Sequence, residues 1–230
     1  MAADSADMTI LSERATMIMT ESEVLETLAH VGALITGDHI VYASGRHGSS
    51  YVNKDALYPH TAATSEVCAQ IAQHFAGANI ETVAGPTVGG VIMAQWTAHH
   101  LGAILGREIM AVYAEEEQTE AGKGRSFRRG YDALVSGRRV LVVEDILTTG
   151  GSARTVVEAV ERAGGIVMGV AALCNRGGVT AEVLGAPELY SLASVPLESW
   201  AAAECPLCAA DVPVNTRLGK GAAFVAAHRK

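Results

Sequence analysis

Two adjacent carboxylates, Glu144 and Asp145, stand between an apolar run and a loop of hydroxyls and glycines in VLVVEDILTTGGS, residues 140 to 152. In an open α/β sheet, ligands bind beyond the carboxyl ends of the strands, where loops lead into helices. The helical spacing of Ala153, Val156, Val157 and Val160 places a helix start near Gly151 or Ser152. Such a terminus presents unpaired N–H groups and positive partial charge, so it suits an anion; Thr148, Thr149 and Ser152 add hydroxyls, and Gly150 and Gly151 let the backbone come close. Carboxylates do not attract phosphate, so Glu144 and Asp145 must meet another part of the same ligand. A ribose 5-phosphate group satisfies both halves, its vicinal hydroxyls donating to the acids while its phosphate caps the helix. A strand ending in solvent, followed by an ordinary turn and cap, would explain the glycines and the serine but not the acids. The chain has no GxxxxGK[ST] and the loop has no GxGxxG order, which removes the usual nucleoside triphosphate and dinucleotide motifs.

The elements that must hold this loop follow from the rest of the 230 residues. A hydrophobic content of 49% is enough for one sizeable α/β domain with a proper core. The formal charge of -8 argues against a surface that wraps a nucleic-acid backbone, whose nonspecific affinity comes mostly from Lys and Arg. The first 20 residues have acids where a secretory signal needs a basic start. No segment reaches the roughly 18 unbroken apolar residues of a membrane span. A soluble cytoplasmic protein is expected. Thr20 and Glu23 form a capping box opening a helix with Val24, Leu25, Leu28 and Val31 on one face. HIVYASGRHGSSYVNKD reads as a hairpin, residues 65 to 76 as a helix closed by Gly77, and the remainder as apolar strands alternating with amphipathic helices. That alternation indicates a parallel sheet covered on both faces. Residues 115 to 130, EEEQTEAGKGRSFRRG, are charged and aperiodic, and read as a long functional or disordered loop.

Cys68 and Cys174 lie in apolar stretches and read as small core residues. Cys205 and Cys208 form CPLC, the spacing of half a zinc site. No second CxxC or neighbouring His pair completes it in the sequence, so a local turn is expected. His99 and His100 read as a helix end, and Trp96 and Trp200 as packing residues.

VLVVEDILTTGGS resembles the phosphoribosyl pyrophosphate (PRPP) motif of type I phosphoribosyltransferases. SGRHGSSYVNKD, VAGPTVGGVIMAQ, LCNRGG and CPLCAADVPVNTRLGKG narrow the resemblance to the orotate phosphoribosyltransferase family over residues 20 to 221. It implies a central parallel sheet flanked by helices, with a flexible tail (1–18), a core of about 61–194, and a small hood of 19–60 and about 195–221. It implies a homodimer that joins orotate to PRPP, with Mg2+ held mainly by PRPP and no metal ligands from the protein. Glu144 and Asp145 would then hold the ribose hydroxyls, and Thr148, Thr149, Gly150, Gly151 and Ser152 the 5′-phosphate. Pro86 and Thr87 of GPTVGG, together with Lys54, would meet the diphosphate. Thr148, Arg176, Tyr51, Ser44 and Arg46 would lie near orotate, with Arg176 on its carboxylate. The glycines of GPTVGG equally fit a tight turn, SGRHGSSYVNKD equally fits a solvated hairpin, and a lone Arg after a strand is commonly a surface residue.

The chain departs from the pattern in two places. Ala43 precedes Ser-Gly-Arg where many relatives have Lys, and Glu115, Glu116, Glu117 and Glu120 stand where a mobile catalytic loop carries cations. Adjacent carboxylates repel pyrophosphate, which leaves Lys123, in Gly-Lys-Gly, as the candidate catalytic cation. Two rivals stay open: a phosphoribosyltransferase for another base, and a regulator that senses PRPP without catalysis.

Overall fold

The computed structural model describes residues 18–119, 122–195 and 198–228. The expected N-terminal tail through residue 17, and Glu120, lie outside the described residues. The capping box forms as read: Glu23 N donates to Thr20 Oγ1 at 3.3 Å, Thr20 N donates to Glu23 Oε2 at 2.7 Å, and helix α1 runs Glu21–His30. Strands β1 (Leu34–Val41) and β2 (His47–Val52) pair antiparallel as a separate two-stranded sheet, reversing through Ser44 and Gly45, whose φ is 78°.

Helix α2 (Thr61–His74) leads to β3 (Thr82–Pro86), α3 (Gly89–Leu105), β4 (Met110–Thr119), β5 (Gly122–Ser126), β6 (Arg139–Leu147), α4 (Gly151–Arg162), β7 (Ile166–Asn175), the one-turn α5 (Ala181–Leu184) and β8 (Leu189–Ser194). These strands form one sheet in the order β5-β4-β3-β6-β7-β8, parallel except for β5, which pairs antiparallel with β4 at the edge. The C-terminal segment adds α6 (Pro206–Ala209) and α7 (Gly221–His228).

The apolar run before the acids now has its explanation. Successive side chains of a strand point to opposite faces. Leu141 and Val143 enter the core made with α1, α2 and α3, while Val140 and Val142 enter the core made with α4. All four are fully buried, because helices cover both faces of this central strand.

Four sequence expectations need correction. Residues 115 to 130 are not one long loop: β4 continues to Thr119 and returns as β5, with Glu116 opposite Arg125 and Gln118 opposite Lys123. Consecutive acids on β4 face a β5 whose cations, Lys123 and Arg125, alternate with glycine; such charge protects a sheet edge from further pairing and carries no apolar period. The helix expected to close at Gly77 ends at His74, and the left-handed residue is Asn79. His99 and His100 are not at a helix end, since α3 continues to Leu105, and His100 Nε2 lies 2.9 Å from Ser65 Oγ. CPLC does begin a one-turn helix, but His partners reach it from β1 and β2. Among the described residues no helix is long and apolar enough to cross a membrane.

Leu141→Ala opens a cavity in the central strand, and we expect it to lower the unfolding free energy by about 2–5 kcal/mol. The urea midpoint measures the loss.

Candidate active site

Beyond the carboxyl end of β6 lies a cleft of about 380 Å³, lined among others by Tyr51, Lys54, Pro86, Thr87, Arg125, Glu144, Asp145, Thr148, Ser152 and Arg176. A cup of about 120 Å³ is lined by Glu144 and by residues 146–153, and shares Glu144, Ile146, Thr148 and Ser152 with the cleft. The β7 loop is locked against the base of these cavities. Arg176 N and Gly177 N both donate to Leu147 O, at 3.0 and 3.1 Å, and a Cβ on Gly177 would meet Thr148 O at 1.6 Å.

The two acids are 5% and 6% exposed and have different surroundings. Asp145 Oδ2 accepts from Tyr58 Oη at 2.9 Å and pairs with Lys54 Nζ at 2.8 Å. Burial pulls the Lys54 ammonium down, but the bond to Asp145 and the neighbouring negative charge outweigh it and raise its pKa. Burial, with the charge of Asp145, likewise holds the Tyr58 hydroxyl well above its ordinary range. Glu144 accepts only the backbone N–H of Asp145 at 3.0 Å among the described hydrogen bonds. Burial first, and the adjacent Asp145 second, push its carboxyl up to about 8, against the opposing pull of that N–H, Arg125 and Lys54. Of the two acids, Asp145 is the one held against a cation.

The smaller cup opens on the N-terminus of α4. Gly150, φ 78°, precedes the 12-residue α4 and supplies no side-chain cap, while Gly151 N makes a long bond to Thr149 Oγ1 at 3.4 Å; N–H groups at such a helix start can face an anion. A Cβ on Gly150 would also meet Leu184 Cδ2 at 2.8 Å. On the opposite wall, Pro86 ends β3 and Thr87 follows it, with a cis peptide between Thr87 and Val88. Gly89 must lack a side chain, since a Cβ there would lie 1.9 Å from Asp145 Oδ2.

The other expected residues divide. Tyr51, Lys54 and Arg176 line the cleft, and the Arg176 guanidinium also lies 5.7 Å from the centre of the Tyr42 ring. Ser44 and Arg46 sit at the exposed β1–β2 turn, where Arg46 Nε donates to Ser199 Oγ at 2.9 Å. Lys123 is on the β4–β5 hairpin with its side chain 71% exposed, paired with Glu116 at 2.9 Å. The acidic run is matched by cations, for Glu115 meets Arg129 at 2.9 Å and Glu117 meets Arg162 at 3.6 Å. The buried cation of the hairpin is Arg125, whose Nη1 donates to Thr87 Oγ1 at 3.2 Å and to Ala114 O at 3.0 Å. Arg125 and Tyr58 were not among the expected site residues. Arg125 could have been found only by pairing residues across the hairpin, and Tyr58 carries no spacing signal at all.

The central strand of this sheet ends in an acid pair beside a helix N-terminus, and the phosphoribosyl transferase domain matches residues 53–187. An orotate phosphoribosyltransferase of Chlorobium phaeobacteroides is 32% identical over 86% of this chain and 95% of its own length. The Chlorobaculum parvum protein of the same name is 34% identical, with 86% and 95% covered. The Mycobacterium tuberculosis H37Rv orotate phosphoribosyltransferase, solved with PRPP, superposes with a TM-score of 0.56 at 28% identity, covering 76% of this chain and 95% of that one. The chain belongs to the orotate phosphoribosyltransferase family.

The raised Glu144 carboxyl sets a pH dependence. Below about pH 8 the free protein keeps this proton. A sugar diol that donated its O–H groups to Glu144 would favour the ionised form, so affinity for ribose 5-phosphate would rise as pH climbs toward that value and level off above it. Glu144→Gln has no proton to lose. Calorimetric titrations should show a rising affinity for the wild type and a flat profile, apart from phosphate ionisation, for the variant.

Proposed function

We propose that the chain transfers the phosphoribosyl group of PRPP to orotate, giving orotidine 5′-monophosphate and pyrophosphate in de novo UMP synthesis, as a cytoplasmic homodimer. One observation carries the reading: a single cleft is lined by a strand-end carboxylate pair, by the loop entering an uncapped helix, and by Arg176 on the facing loop. The 5′-phosphate would sit in the cup of Thr148 to Ser152, its oxygens on main-chain donors. The ribose hydroxyls would donate to Glu144 and Asp145. The diphosphate would lie toward Pro86 and Thr87, with Arg125 close by.

Departure of pyrophosphate leaves positive charge on the ribose ring, and fixed carboxylates under that ring favour the charge as it appears. Little covalent chemistry falls to the protein, whose work is positioning. Lys54 blocks Asp145 in the free protein, so a diol taking Asp145 would release the ammonium toward the diphosphate. Arg176 suits the carboxylate of orotate because a guanidinium can engage it with two parallel bonds. Tyr51 would lie beside the base. Ser44 and Arg46 would contribute through the hood, residues 19–60 with about 195–221, and Lys123 would serve from the hairpin of the neighbouring copy; these roles rest on family resemblance.

Both acids of the cleft are oxygen donors of the kind hard cations accept, so Mg2+ fits when carried mainly by the diphosphate, with Glu144 and Asp145 nearby. When bound, it would neutralise diphosphate oxygens and assist their departure.

With PRPP and Mg2+, we expect loss of orotate and no turnover of uracil, hypoxanthine or adenine. Turnover of another base with none of orotate overturns the substrate assignment, and no turnover with any base favours a PRPP sensor. Asp145→Asn should lower kcat by ~10²-fold or more while leaving the melting temperature close to wild type. Undiminished turnover would take Asp145 out of the mechanism.

A further inference from the structure

Away from the cleft, four side chains converge on one point. His39 of β1, His47 of β2, and Cys205 and Cys208 around the start of α6 each direct a possible ligand atom inward, and the four atoms all lie within 4.8 Å of one another. Cys208 Sγ is 3.4 Å from His47 Nδ1 and 3.7 Å from His39 Nε2, and Cys205 Sγ is 3.6 Å from His39 Nε2. A tetrahedron with Zn–S near 2.3 Å and Zn–N near 2.05 Å separates sulfur from nitrogen by ~3.5 Å. These edges are therefore already in place. The edge between His39 Nε2 and His47 Nδ1, 2.9 Å, is shorter than the ~3.3 Å of the same tetrahedron and would open slightly around an ion.

The surroundings favour the metal-binding forms. His39 Nδ1 lies 2.7 Å from Val212 O. A carbonyl only accepts, so Nδ1 carries the proton and Nε2 turns a lone pair to the cluster, the outer-sphere arrangement usual for histidine ligands. Without a metal, the group forms one N–H···N bond and a few weak thiol contacts, while His47 Nε2 is buried with no hydrogen-bond partner among the described residues.

We propose that this chain carries a structural zinc ion held by His39, His47, Cys205 and Cys208, fastening the C-terminal segment to the β1–β2 sheet. Two sulfurs and two nitrogens in a tetrahedron suit Zn2+. With all four positions supplied by protein, three of them buried and one half-buried, no site is left for substrate. Binding releases the two thiol protons to solvent. The ion would reinforce backbone bonds already joining the same pieces: His47 N to Trp200 O at 2.8 Å, Asn215 N to His39 O at 2.8 Å and Lys220 N to Val41 O at 2.7 Å. Because β2 carries Tyr51 and ends two residues before Lys54, the clamp would also steady one wall of the cleft.

Full-length protein from zinc-supplemented cells should contain about one zinc per chain by elemental analysis. X-ray absorption at the zinc edge should show two sulfurs near 2.3 Å and two nitrogens near 2.0–2.1 Å. Cys205→Ser with Cys208→Ser should lose the metal; should that variant fail to fold, the wild-type coordination spectrum decides alone. Zinc retained in a folded double variant overturns the proposal. So does a zinc-free wild type that takes up no zinc on incubation, a Cys205–Cys208 disulfide in the native protein, or a zinc shell without sulfur.

Discussion

Two carboxylates next to each other in the chain, each almost closed off from water, would repel strongly if both were bare. The end of β6 accommodates them because strand alternation sends Asp145 toward Lys54, Tyr58 and the start of α3, while Glu144 joins the lining of the anion cup. Asp145 pairs with the ammonium of Lys54, and burial with the adjacent Asp145 raises the Glu144 carboxyl to about 8. Much of the neighbourhood answers to this arrangement. Gly89 lacks a side chain because Asp145 occupies the space, and Gly177 because the loop after β7 passes directly over Thr148. The site is thus built from backbone close approaches as much as from side chains.

The acidic stretch after β4 poses the same problem in solvent, with a different solution. Glu115, Glu116 and Glu117 each meet a cation from β5, from the turn after it or from α4. Exposed pairs of this kind add little stability. Their effect is electrostatic: the hairpin does not present a bare negative edge beside the cleft. Arg125 adds a buried cation next to Thr87, so the same hairpin that carries the acids also supplies positive charge at the cleft.

The small sheet depends on chain ends that meet far apart in sequence. β1 and β2 have only two strands, which are marginal alone. They gain order from α1, from backbone bonds to residues 200, 215 and 220, and from the convergence of two histidines on two cysteines. Since Tyr51 and Lys54 follow from this sheet, its rigidity reaches the cleft.

The sequence by itself determined the local matters. The order of apolar strand, acids, hydroxyl-glycine loop and helix located Glu144, Asp145 and the cup of Thr148 to Ser152, because each of those features is contiguous and has its own spacing. The Thr20–Glu23 capping box and the parallel layered architecture were legible for the same reason. Only the tertiary structure decided that Glu144 and Asp145 have different partners, that Arg125 and not Lys123 lies in the cleft of its own chain, and that Cys205 and Cys208 meet His39 and His47. Those outcomes join residues 38 to 169 positions apart. A contact between distant segments leaves no period in the chain, since it is set by how sheets and loops pack, and in the hairpin by a charge alternation that an apolar pattern does not reveal.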